Sequence, residues 1–137
     1  KVVPDMNSWV TCDTMNGNCV LISREVVKKT HNLDSHFTHG MGDLDYGLRA
    51  QNEGCQIVIA PAYYGQCSLN DGSGLWLDKR LPIWNRWQKL IGPKGLPVRE
   101  WMIFSRRHRG KLWFFAWLSV YIMFWMKALV NLFRVKL

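Results

Sequence analysis

The sequence predicts an α/β fold that gives way to basic, aromatic-rich helices, and three observations carry that expectation. The run Ile57-Val58-Ile59 is β-branched and apolar, which suits a strand buried on both faces. Just before it, Met41, Leu44 and Leu48 fall at helical spacing, and Gly54 supplies the left-handed stop that helices favour. From Trp76 the character changes: Trp84, Trp87, Leu90 and Ile91 recur on one helical face, with Arg86 and Lys89 between them.

Taken in order, residues 1–11 are extended in character. Asp13 to Asn18 is a turn cluster around Gly17, and the apolar run Cys19 to Ile22 reads as a strand. Ser23 is an N-cap for a helix running to about Thr30. Residues 31–42 form an irregular loop with three histidines, His31, His36 and His39, whose spacing is not that of a helical metal pair. Asp43 to Glu53 is a helix and Cys55 to Ala60 a strand. A loop with Asn70-Asp71-Gly72-Ser73-Gly74 at its centre follows. Gly92-Pro93 ends the helix that holds Trp84 and Trp87, and a further helix follows Pro97 through Trp101 and Phe104. Leu112 to Met126 is the most hydrophobic stretch of the chain.

Length and composition allow one real core: 137 residues, 48% hydrophobic. The chain opens on Lys1-Val2-Val3, as expected of a piece of something longer. Charge is divided unevenly. Residues 1–75 hold five Lys/Arg and eight Asp/Glu, a net of −3, whereas residues 76–137 hold thirteen and two, a net of +11. The basic half points to an anionic partner. Nucleic acid is disfavoured for lack of any recognised motif. Cys12, Cys19, Cys55 and Cys67 form no Cys-x-x-Cys pair, so reduced cysteines serving as small buried hydrophobes are expected.

The candidate chemistry lies at the start of the Asp43–Glu53 helix. Asp43 is placed to act as a general base, with Gly47 one turn on expected to leave the surface beside it open. The competing reading gives Asp43 only a favourable interaction with the helix dipole. Asp45 and Arg49 stand at i,i+4 with the acid first, the favoured order for a helical ion pair. Asp43-Leu44-Asp45 also has the form of an Asp-x-Asp metal motif. It lacks the preceding hydrophobic strand, because Gly40-Met41-Gly42 stands there instead, so no metal ligand is assigned within these residues.

The segment Gly42-Asp43-Leu44-Asp45-Tyr46-Gly47-Leu48-Arg49-Ala50, then Gly54, then Ile57-Val58-Ile59-Ala60-Pro61, resembles the acceptor-side half of a family 2 (GT-A fold) glycosyltransferase. Asn16 to Arg24, Leu33-Asp34 and Phe37 fit upstream; Pro93 to Pro97 and Arg106 to Gly110 resemble the tail of rhamnosyltransferase-like members. The resemblance covers roughly residues 12 to 115 and implies the C-terminal half of a Rossmann-like GT-A domain over 1–75. Its nucleotide-binding half would lie outside this chain, which alone would be inactive. It further implies inverting transfer of a sugar from a nucleotide-sugar donor to a glycan or lipid-linked acceptor, as in polysaccharide biosynthesis. Asp43 would be the catalytic base, and Asp45, Arg49, Asn16 and Asn18 would line or support the acceptor site. A divalent cation, Mg²⁺ or Mn²⁺, is implied with ligands mostly outside this chain. The family often places a histidine after the second strand, where this chain reads Gly65-Gln66-Cys67.

Residues 76–111 are then a basic, Trp-rich helical extension, and 112–137 an amphipathic or membrane-associated helix. Trp113, Trp117, Tyr121 and Trp125 fall at steps of four and form an aromatic ridge, preceded by Arg106, Arg107, Arg109 and Lys111. Lys127, Asn131 and Arg134 form a narrow polar stripe. Trp and Tyr favour the membrane interface and the basic run favours anionic head groups. These residues are therefore the expected membrane contacts of a cytoplasmic protein peripheral on the inner face of the cell membrane. Fifteen apolar residues make about 22 Å of helix, short of the ~30 Å hydrocarbon core, so attachment along the interface is preferred to spanning. The alternative to an enzyme is a non-catalytic module that binds membrane or partner through the same residues.

Overall fold

The structure, a computed structural model, describes residues 3–66 and 74–134, with side chains as far as residue 130. Cys67, the loop centre from Asn70 to Ser73 and the side chains of Asn131, Phe133 and Arg134 lie outside the described residues. The chain forms two compact units, Lys1–Asp71 and Gly72–Leu137, dividing four residues earlier than the change in composition.

In the first unit a short strand, β1 (Val10–Thr11), pairs antiparallel with β2 (Val58–Ile59) in the register Val10 to Ile59 and Thr11 to Val58. The pairing continues as Cys12 N–H donating to Ile57 O at 3.0 Å. Two expectations change here. Cys19–Ile22 is irregular and Leu21 is 99% exposed, because a strand needs a ladder neighbour and β1 and β2 use each other among the described residues. The strand expected over 55–60 is confined to Val58–Ile59, and Val58 is exposed, so it is not buried on both faces.

Helix α1 (Arg24–Thr30) starts at Ser23, whose Oγ accepts from Val26 N at 3.4 Å, as its sequence predicts. It ends at His31, which takes a positive φ of 63° while its N–H donates to Val27 O. Helix α2 (Met41–Asn52) begins two residues before the expected start, so Asp43 lies inside its first turn. It closes as a Schellman turn: Gly54 sits at φ 75°, its N–H donates to Gln51 O, and Cys55 N–H donates to Ala50 O.

The buried face of α2 is not the leucine face. Met41, Tyr46, Ala50 and Asp45 are buried, while Leu44 is 36% exposed. The cysteines also differ from expectation. Cys12 and Cys55 are half-buried, but Cys19 is exposed. Burial, with Asp13 adding to it, pushes the Cys12 thiol above its usual range.

The second unit is helical throughout its described elements: α3 (Ile83–Ile91), α4 (Val98–His108), a 3-10 turn at Gly110–Leu112, and α5 (Trp113–Arg134). The α3 and α4 bounds follow the sequence, with Pro82 and Pro97 just before each first turn and Gly92 just after α3. Leu90, Trp101, Phe104, Tyr121, Phe124 and Ala128 are buried and form this unit's core. Trp87 lies at its centre, with ring centroids 6.0 Å from Tyr121, 5.5 Å from Phe124 and 5.3 Å from Trp125. Near the unit's start, the Arg80 guanidinium holds the Asp78 carboxyl well below the usual range, helped by N–H groups of Gly74 and Arg80.

Candidate active site

Asp43 is half-buried, and both of its carboxylate oxygens accept a backbone N–H. Oδ2 accepts from Gly17 N at 2.7 Å, and Oδ1 from Leu44 N at 2.9 Å. The first bond crosses 26 residues of sequence and draws the 13–18 turn onto the first half of α2. Thr14 fixes the same approach from the other side: its Oγ1 donates to Leu44 O at 2.9 Å. A carboxylate offers about four acceptor positions, and these two bonds use two of them. The remaining positions can accept a proton from a hydroxyl.

Gly47 has a role different from the expected one. It does not leave open space; a Cβ there would lie 2.5 Å from Thr14 Oγ1 and 2.9 Å from Met15 N. Only a glycine lets residues 14–15 lie this close to the helix. Asn16 and Asn18 are exposed on the turn held by Asp43, and Asn16 Oδ1 accepts Asn18 N at 3.2 Å, which fixes the turn's shape. The structure thus brings Asp43, Asn16 and Asn18 together.

Asp45 and Arg49 belong to a different arrangement, directed inward. Asp45 is fully buried, and Arg49 Nε donates to its Oδ2 at 2.8 Å. The same guanidinium donates through Nη1 to Thr30 O at 2.6 Å and through Nη2 to Asn32 O at 3.0 Å, and it lies 5.3 Å from the Tyr46 ring centroid. Thr30 is the last residue of α1, where a helix leaves its carbonyls without intrahelical partners. The pair therefore satisfies that end and fastens it to α2. This is a positioning role, in line with the ion-pair reading of the spacing.

Asp45, turned inward to Arg49, and Asp43, turned to Gly17, do not converge as cation ligands. Among the described residues no group of three His, Cys, Asp or Glu side chains is placed to hold a metal ion. These residues do not fit the implied Mg²⁺ or Mn²⁺ site, and no chemical step here is routed through one. The loop histidines do not gather either: His36 Nδ1 is 2.7 Å from Asp34 Oδ1, and His39 Nδ1 accepts from Gly40 N at 2.8 Å.

Of the aromatic ridge expected at the membrane, Tyr121 is buried, Trp113 and Trp117 are half-buried, and Trp125 stays exposed. Tyr121 is buried and its hydroxyl donates to Leu96 O at 2.9 Å; Trp117 Nε1 donates to Val98 O at 3.0 Å. Burial pushes the Tyr121 phenol up to about 12. Trp125 packs on Trp87, and Trp113 lies edge-on to Phe114. Arg106, Arg107, Arg109 and Lys111 are exposed as expected, with Arg109 5.7 Å from the Trp101 ring centroid.

Sequence reasoning missed Thr14, the Gly17 amide and the carbonyls of Thr30 and Asn32. Thr14 and Gly17 stood within a recognised turn cluster, but nothing in that pattern names its partner on α2. Comparison of the chain with known protein families, with curated proteins and with solved structures finds no match in any of the three.

Proposed function

We propose that this chain is the acceptor-side half of a GT-A-type glycosyltransferase, with Asp43 as the base that activates the acceptor hydroxyl. One observation carries this reading: the Asp43 carboxylate is braced by two backbone N–H groups, remains partly open to solvent, and sits beside the exposed Asn16 and Asn18. A base for this reaction must be held still and must keep a free acceptor position. The hydroxyl oxygen of a glycan or lipid-linked acceptor attacks the anomeric carbon while Asp43 takes its proton. The nucleoside diphosphate departs from the opposite face, so the configuration inverts. Asn16 and Asn18 supply amides for neighbouring sugar hydroxyls. Asp45 and Arg49 hold α2 in place and stay outside the chemistry. The donor nucleotide is bound by a half not represented in these residues, and the second unit attaches the protein to a membrane surface.

The test is sugar transfer by the chain supplied with its nucleotide-binding half. Asp43→Asn should reduce turnover by roughly 10²- to 10⁴-fold and leave donor binding in place. Loss of donor binding together with metal dependence would make Asp43-Leu44-Asp45 a metal motif and remove Asp43 as the base. Unchanged turnover would remove Asp43 as the base, and no transfer by the unaltered chain with that half would leave the non-catalytic module as the better description.

A further inference from the structure

The exposed side of α5 is apolar over several turns, and the reading above leaves its orientation on a membrane open. Phe115, Ile122, Met123, Met126, Leu129 and Val130 are each between 47% and 67% exposed, and all lie on one side of the helix, away from Tyr121, Phe124 and Ala128. We infer that this side docks on an anionic lipid surface with α5 lying in the plane of the interface, its six apolar side chains in the acyl boundary and α3 and α4 on the water side. The inference rests on the membrane attachment proposed above and specifies its geometry.

Length alone permits the opposite arrangement. Gly110–Val130 is long and apolar enough to cross a bilayer, and α5 at 22 residues extends about 33 Å. The neighbours of α5 decide against it. The Arg86 guanidinium lies 5.6 Å from the ring centroid of Phe124, half-way along α5, and its Nε donates to Trp76 O. Tyr121 and Trp117 are bonded to the carbonyls of Leu96 and Val98, beside the exposed Lys94 and Arg99. If α5 crossed the bilayer, Arg86 and the irregular backbone of residues 92–97 would be carried toward its centre, where charges and non-helical backbone are strongly disfavoured. With α5 in the plane, all of these stay in water.

The polar groups on α5 fit the same orientation. Lys127 is exposed at the edge of this side, about 40° round the helix from Met123 and about 100° from Met126, where its long side chain can reach water. Ser119 lies on the apolar side itself, and its hydroxyl donates to Ala116 O at 3.0 Å, which satisfies it within the helix. Charge names the occupant. Residues 76–137 carry thirteen Lys/Arg against two Asp/Glu, and one of those acids, Asp78, is paired with Arg80. Arg106, Arg107, Arg109 and Lys111 stand exposed just before α5, where an interfacial helix would present them to anionic head groups.

The experiment uses the 137-residue chain and vesicles of phosphatidylcholine with or without phosphatidylglycerol in equal parts. Binding should require the anionic lipid and weaken with added salt. Met126→Lys, at a site far from the core, should lower partitioning roughly tenfold or more without changing the melting temperature, and Lys127→Met should not lower it. Nitroxide labels are then placed on cysteines introduced at Phe115, Ile122, Met126 and Leu129, with the native cysteines changed to serine. All four should report one shallow depth, and a label at Lys127, at the edge of this side, should lie nearer the water than these. A depth that is greatest near Ile122 and falls toward both ends would overturn the in-plane geometry while keeping membrane attachment. Absence of vesicle binding by the folded chain would overturn attachment itself. Self-association abolished by Met126→Lys would assign the face to a second copy of this chain and overturn the inference.

Discussion

The two units are held together by different physics. In Lys1–Asp71 the ties that set the architecture are polar and long in sequence: Asp43 to Gly17, Thr14 to Leu44, and Arg49, held by Asp45 within α2, to Thr30 and Asn32. Among its described residues the buried hydrophobic side chains are few, Met41, Tyr46 and Ala50. In Gly72–Leu137 the core is aromatic and aliphatic, and Trp117 and Tyr121 tie α5 to backbone carbonyls. Directional bonds fix individual groups to within tenths of an ångström, which suits a site. Apolar packing tolerates a broad exposed face, which suits docking on a surface.

That comparison can be broken most forcefully at the buried ion pair. Removing one member leaves an uncompensated buried charge, so Arg49→Met should destabilise the first unit by about 3–5 kcal/mol, measured by denaturant unfolding. Asp45→Asn should have a similar effect, because Asp45 is fully buried. A change below about 1 kcal/mol for both would show that polar ties do not hold this unit. Gly47→Ala sharpens the comparison at the site. Its Cβ would meet Thr14 Oγ1 and Met15 N, so residues 14–17 must lift, at about 1–3 kcal/mol. Turnover should fall with it, although no reacting group has been altered.

The smallest effect belongs to the second unit. Tyr121→Phe removes one hydrogen bond and should lower stability by about 0.5–1.5 kcal/mol at neutral pH. The Tyr121 phenol is raised in the folded state to about 12, against about 10 when unfolded. Its contribution is therefore present below pH ~10 and is lost as pH rises toward about 12. A thermal-melting series across that window should show the loss in the wild-type chain and a weaker one in Tyr121→Phe.

Much of the helical layout was legible because its signals are local. Ser23 caps its own helix, Gly54 takes its own positive φ, and Pro82 and Pro97 precede the turns they start. What periodicity could not show was which face a helix buries. Leu44 and Leu48 suggested an apolar face for α2, yet the buried face carries Asp45, because Arg49 neutralises it and reaches α1. The ridge from Trp113 to Trp125 was legible as a ridge, but the ties of Trp117 and Tyr121 run to Val98 and Leu96, residues that no helical repeat on α5 can indicate. Asp43 was legible as a candidate from its motif. Its brace was not, since Gly17 lies 26 residues away and contributes only a backbone N–H.

The central claim is that Asp43 does chemistry in addition to bracing the turn, and one sample can separate the two roles. Asn at position 43 keeps an oxygen that can accept Gly17 N–H but cannot serve as a base. Sugar transfer and hydrogen exchange at the Gly17 amide should be measured together on Asp43→Asn, supplied with the nucleotide-binding half. The account predicts a Gly17 amide still protected and turnover reduced roughly 10²- to 10⁴-fold. Turnover that survives with the amide protected, or that falls only in step with its release, would contradict it.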